Sequence, residues 1–126
     1  MKNTELRIGN LVKVNGDIVK VEQITKKKIG YHKQPNEHRM HYAILSEVEP
    51  IEITEDVMYM VKCRRRSEDG KDILHEIIPL FYVQTRGDNG KVGYIWREFK
   101  YIDAVYFHEL QNWFYMFNRK ELEVKL

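Results

Sequence analysis

The apolar positions of the chain fall into three textures. From Leu11 to Leu45 they come in short runs: Leu11-Val12-Lys13-Val14, Ile18 to Ile24, Ile29-Gly30-Tyr31 and Met40 to Leu45. Runs of this length, punctuated by turn residues, predict β-strands. Asn15-Gly16 supplies the positive φ angles of a tight hairpin between the first two. Ile18-Val19-Lys20-Val21-Glu22-Gln23-Ile24 does not divide into two clean faces. A strongly bent strand accounts for that, because a bend changes which side meets the core. Lys26-Lys27-Lys28 is a charged connection, and His32 to Arg39, with Pro35, reads as a loop.

The second texture begins after Pro50. Thr54 is a good helix N-cap, since its hydroxyl can accept from free backbone N–H groups one turn on. Glu55 and Asp56 complement the helix dipole, and Val57, Met58 and Val61 give a short apolar face. A helix is expected over Glu55 to Cys63, then a loop from Arg64 to Gly70. Ile73 to Ile78, Phe81 to Thr85, Val92 to Trp96 and Phe99 to Tyr106 read as a β-meander, with a hairpin loop at Arg86-Gly87-Asp88-Asn89-Gly90.

The third texture is Phe107 to Phe117, which holds five of the fifteen aromatic residues. At about 100° per residue, Phe107, Leu110, Trp113, Phe114 and Phe117 fall within an arc of about 120° and predict a core-facing helical stripe. His108, Asn112, Tyr115 and Arg119 share another face, with Gln111 at its edge. Glu121-Leu122-Glu123-Val124 alternates as a last short strand. The whole reads as an α+β protein. A small β-barrel lobe occupies residues 1–50. Residues 51–126 form an α+β lobe that shares one core with it, built from a short helix, a meander and the C-terminal aromatic helix.

Two resemblances sharpen this outline. Ile8-Gly9-Asn10-Leu11-Val12-Lys13-Val14-Asn15-Gly16 resembles the first strand of Src-homology-3-like and Tudor-like barrels. Three stretches together resemble a family of small uncharacterised proteins of phages, prophages and other mobile elements of Bacteroidetes. They are Leu6-Arg7-Ile8-Gly9-Asn10-Leu11-Val12, then Pro50-Ile51-Glu52-Ile53-Thr54-Glu55-Asp56, then His108-Glu109-Leu110-Gln111-Asn112 with Glu121-Leu122-Glu123-Val124 after the aromatics. The family pattern has Thr-Gly after the helix, where this chain has Asn118-Arg119; Asn tolerates a left-handed helix terminus. The resemblance implies a genomic context and no activity.

Composition narrows the compartment and the class. A net charge of +2 is too small to imply nucleic acid or an anionic membrane by itself. Cys63 is the only cysteine, so no internal disulfide forms and a reducing compartment is expected. The opening residues carry no apolar signal core, and the longest apolar run, Ile77 to Val83, is broken by Pro79. The expected location is the cytoplasm, with no membrane partner.

Candidate chemistry is sparse. The helix face of His108, Gln111, Asn112, Tyr115 and Arg119 is either a solvated surface bonded to neighbouring loops or a contact face for a partner or ligand. Lys26, Lys27, Lys28 and Arg64, Arg65, Arg66 are the densest positive clusters. They read as solvated segments or, should they converge, as a phosphate-binding patch. His38 and His41 have a three-residue spacing beside Glu37, with His32 nearby, but on a loop and strand no helix aligns them, so no metal or cofactor is expected. Cys63 precedes three arginines, which would lower its pKa; a half-buried packing thiol is the plainer reading. Neither serine sits in a nucleophile-elbow pattern. The leading expectation is a non-enzymatic accessory or binding protein of a phage or mobile element, acting through protein contacts. The alternatives are a nucleic-acid-binding module using the two cationic clusters, and a binder of a small anionic ligand such as a signalling nucleotide, which would act as a host-defence antagonist. Tyr115 and Met116 lie off the core stripe, so either the C-terminal strands wrap the helix or a second copy does.

Overall fold

Asn15 and Gly16 take positive φ angles of 52° and 83°, the pair that a type I′ turn requires. They join β1 (Leu11–Val14) to β2 (Asp17–Lys20) in an antiparallel hairpin with Val14 opposite Asp17. The computed structural model from which these features are read describes residues 1–67, 72–86, 93–97 and 100–125. It divides into two compact units, Met1–Ile51 and Glu52–Leu126.

In the first unit the bend expected in the second strand is a change of sheet. Val21 donates its N–H to Asn10 O and accepts from Gly9, whereas Glu22 already donates to Gly30 O. The chain then continues as β3 (Gln23–Ile24), pairs with β4 (Lys28–Tyr31), and β4 pairs with β5 (His41–Ile44). A 3-10 turn at Leu45–Glu47 leads to β6 (Val48–Glu49), which returns antiparallel to β1. The result is two three-stranded sheets, ordered β2-β1-β6 and β3-β4-β5. Among the described residues no closed barrel forms, because the strands split into two ladders at Val21-Glu22. Val12, Val14, Val19, Val21, Ile29, Ala43 and Val48 are buried together in one core.

The second unit opens with α1 (Glu55–Met58), capped by Thr54, whose Oγ1 accepts from Val57 N at 3.2 Å. The cap is as expected, but the helix stops five residues before the expected end at Cys63. Its last N–H groups bond three residues back, Met60 to Val57 O and Val61 to Met58 O. Val61 then bridges to Val124, and Arg64–Arg66 forms β7, where a loop was expected. Strand pairing therefore outcompetes continuation of the helix. β7, β8 (Asp72–Ile78), β9 (Phe81–Arg86), β10 (Gly93–Arg97) and β11 (Lys100–Ala104) make one antiparallel five-stranded sheet in sequence order. The hairpin loop expected at 86–90 falls, apart from Arg86, outside the described residues. The expected final strand at Glu121–Val124 is reduced to the single Val61–Val124 bridge, while Leu122 is buried.

α2 (Phe107–Asn118) is the aromatic helix. Glu109 Oε1 accepts from Tyr106 N at 3.0 Å and ties down its first turn. Phe107, Leu110 and Phe114 are buried, each contributing about 1.5–3 kcal/mol by leaving water. Phe81 packs edge-on against Phe114, with ring centres 5.1 Å apart. Trp113 and Phe117 are only half-buried and stack on each other at 5.4 Å. The buried arc is thus displaced from the expected stripe: it runs from Leu110 through Phe114 and Phe107 to Gln111 and His108.

Candidate functional site

The polar face expected on α2 is divided along the helix axis. His108 and Gln111, in the first turn and a half, are buried, and His108 stacks on Tyr106 with ring centres 5.9 Å apart. Asn112 is half-buried, and Tyr115 and Arg119 are exposed. Met116 lies beside them with half of its surface in solvent. At about 100° per residue, Asn112, Tyr115, Met116 and Arg119 form one continuous outward face. The correction has a simple cause. Helical periodicity assigns residues to a face, but the depth of each turn is set by what packs against it.

Arg119 closes the helix in the left-handed conformation, φ 56° and ψ 25°, and donates its N–H to Tyr115 O at 2.7 Å. Glycine takes this conformation without steric cost, and an arginine there is strained by about 1 kcal/mol. Asn118, the residue that tolerates such a terminus better, stays helical and donates from Nδ2 to Phe114 O.

The two cationic runs lie in different units. Lys26, Lys27 and Lys28 are all exposed. Lys26 and Lys27 sit on a turn that leads into β4 at Lys28 and is held by Thr25, whose Oγ1 accepts from Lys28 N at 3.1 Å and whose N–H donates to Lys28 O at 2.9 Å. Lys28 Nζ lies 4.5 Å from the centre of the Tyr42 ring. Of the arginines, Arg64 and Arg66 are exposed, while Arg65 turns inward. Its Nη2 donates to Met58 O and to Val61 O, the latter at 3.2 Å, and its guanidinium covers the Tyr59 ring at 4.6 Å.

The histidines of the first unit are engaged by carboxylates. His32 Nδ1 bonds to Glu22, and His41 Nε2 to Glu37 Oε1 at 2.8 Å. The His41 contact holds the Glu37 carboxyl below its usual range. His38 is exposed, and among the described residues no group of three potential ligands converges on a metal position.

His75 is the residue that sequence reading missed. It is fully buried on β8, in register with Arg65, and its Nε2 contacts Thr85 Oγ1 at 2.9 Å. Its Nδ1 lies 3.9 Å from Cys63 Sγ. Burial first, and the Arg65 charge second, push the imidazole down to about 4. Burial pushes the Cys63 thiol up, against the opposing pull of Arg65. The arginine run therefore does not activate the thiol, because desolvation outweighs it. Both members of the pair rest in their neutral forms, the opposite of the ion pair that a nucleophilic cysteine needs. The only sequence cue was a lone histidine in the apolar stretch Ile73 to Ile78.

Beside Cys63 lies a cleft of about 570 Å³ within the second unit. Lys62, Arg64 and Lys120 line it together with Glu76, Glu121 and Glu123, over an apolar floor that includes Phe114. Three cationic and three anionic side chains balance, so the cleft presents no excess charge to an anion. No helix among the described residues is long and apolar enough to cross a membrane. No family model matches the chain, and neither a curated protein nor a solved structure matches it.

Proposed function

We propose that the protein is a non-enzymatic binding protein that engages a protein partner through the outward face of α2, as an accessory factor of a phage or mobile element. One observation carries the reading: Tyr115, Met116 and Arg119 stand together in solvent on the C-terminal half of a helix whose N-terminal half is buried. Aromatic residues, methionine and arginine are the side chains that protein interfaces favour at their centres. The left-handed Arg119 supports the same reading, since glycine would close the helix at lower cost. The neutral Cys63–His75 pair supports a non-enzymatic role.

Affinity capture with the wild type and with a Tyr115→Ala/Arg119→Ala pair tests the proposal. Partner lists that match between the two would sink the α2 face. Light scattering at two concentrations separates a heterologous partner from a second copy. Arg119→Gly sharpens the test: it is expected to raise stability by about 1 kcal/mol in urea unfolding and to weaken partner capture. A variant that gains no stability would remove the strain from consideration.

The finer fold reading belongs with this proposal. We take the first unit to be an open relative of the Src-homology-3-like barrel. Three features support it: the passage from one sheet to the other at Val21-Glu22, the 3-10 turn before β6, and the antiparallel return of β6 onto β1.

A further inference from the structure

β5 is the last strand of the order β3-β4-β5, and among the described residues nothing pairs with its outer edge. Its register with β4 sets Tyr42 opposite Gly30 and Ile44 opposite Lys28. The ladder runs on to Leu45, whose N–H donates to Lys27 O at 2.8 Å. Antiparallel pairs alternate between residues that exchange hydrogen bonds and residues that do not. With Leu45 bonded inward, Ala43 and His41 are bonded inward too, and Tyr42 and Ile44 aim their N–H and C=O groups away from the sheet. The side chains of the same two residues are exposed, at 51% and 50%, while Ala43 between them is buried. Proteins usually blunt such an edge with lysine, proline or a bulge on the strand itself. Here the exposed positions of β5 are aromatic and aliphatic, and the lysines stand beside it on the Thr25 turn. The only acidic residues between positions 22 and 44, Glu22 and Glu37, are both engaged by histidines.

We propose that β5 is an acceptor edge for an extended acidic peptide strand. The strand adds to the sheet through the backbone of Tyr42 and Ile44, and on the face these two share with Lys28 it sets an apolar side chain against theirs and a carboxylate toward the lysines at Lys26, Lys27 and Lys28. Backbone bonding supplies the affinity and the alternate side chains the selectivity. Charge selects this occupant over a second copy, which would bring the same three lysines to the joined sheet. A single-stranded nucleic acid would use the lysines and Tyr42 but leave the backbone edge unused.

Ile44 has φ −69°, the angle at which a proline ring is unstrained. Its N–H makes no ladder bond, so Ile44→Pro removes an outward donor without breaking the sheet. The probe is a short fluorescent Glu/Val peptide with Thr at every second position, so that its Glu and Val side chains fall on one face, measured by anisotropy beside its Lys/Val counterpart and a labelled oligothymidine. The Glu/Val peptide should bind the wild type and lose affinity about tenfold with Ile44→Pro, at an unchanged melting midpoint. Lys26→Glu/Lys27→Glu should weaken it comparably, and added salt should weaken it further. The backbone amides of Tyr42 and Ile44 should exchange freely in the isolated protein and become protected when the Glu/Val peptide is added. This measurement does not depend on any variant. Equal binding of the two peptides, indifference to Ile44→Pro in a folded variant, or amides that stay unprotected would each overturn the proposal. So would tight oligothymidine binding that ignores Ile44→Pro, or self-association that Ile44→Pro abolishes.

Discussion

Lys26-Lys27-Lys28 and Arg64-Arg65-Arg66 carry the same formal charge over the same length of chain, and the fold treats them in opposite ways. Lys26 and Lys27 ride a turn and Lys28 opens β4 on its exposed face, so all three are exposed. The arginines form a strand, where neighbours point to opposite sides. Arg65 is therefore turned inward, to Met58 O, Val61 O and the Tyr59 ring. There it adds a side-chain donor at the end of α1, to Met58 O, which also accepts from Val61 N, and to Val61 O just beyond it. A charge run in a sequence counts charges; the period of the element that carries it decides how many remain available for binding.

The largest expected effect that separates the two runs is acid sensitivity, because only the arginine run has a titrating group in register with it. The unfolded imidazole of His75 takes up a proton near its ordinary value of 6.5, and the folded one only near 4. The folded state binds fewer protons across that window, so stability is complete above about pH 6.5 and falls as the pH drops toward 4. The loss is about 3 kcal/mol at one pKa unit per 1.36 kcal/mol. Urea midpoints recorded across the window should show this slope in the wild type and flatten in His75→Gln. Parallel curves would remove His75 as the cause. Replacing Lys27 should leave the slope untouched.

Next in size is Arg65→Met, which strips a donor from two carbonyls and should cost about 2 kcal/mol at pH 7. It should also let His75 take up a proton at a higher pH, by removing a neighbouring positive charge. An Arg65→Met variant as stable as the wild type would erase the distinction between the runs. Lys28→Met should cost about 0.5–1 kcal/mol, the value of its contact with the Tyr42 ring. Arg64→Ala should fall within about 0.5 kcal/mol of the wild type, as exposed substitutions do. A larger loss would mean that the outward Arg64 is also structural.

Local physics was legible in the sequence wherever it acts alone. Asn15-Gly16 announces its turn because few other pairs accept two positive φ angles, and Thr54 announces a helix start through one hydroxyl. The broken alternation from Ile18 to Ile24 announced a bend, although not that the chain there leaves one sheet for another. What escaped depends on distant partners. Val57, Met58 and Val61 continue a helical pattern, yet Val61 pairs with Val124, a competitor that no local window contains. Trp113 and Phe117 share the stripe of Phe107 but not its depth. Of the candidate face on α2, the exposed Tyr115 and Arg119 could be named from periodicity, whereas the burial of His108 and Gln111 could not. Neither the inward turn of Arg65 nor the open edge of β5 is written in any short stretch. The first needs the register with β8, and the second needs the order of the whole sheet.

The backbone ties that close the second unit bear on how the chain is made. Ile53 donates to Val105 O, Glu52 bridges to Tyr106, Val61 to Val124, and Lys125 donates to Met60 O. Each joins the beginning of the unit to its far end. The pairings of the first unit, by contrast, all close within Met1–Ile51. Long-separation contacts form late, since loop closure must precede them. During synthesis the first unit can complete its ladders while the meander is still being translated. The segment around α1 must wait, with Ile53 and Met58 uncovered, until residue 125 has left the ribosome. For that interval the apolar residues still awaiting their partners lie in the second unit, and it is there that chaperone contacts and misassembly during synthesis would concentrate.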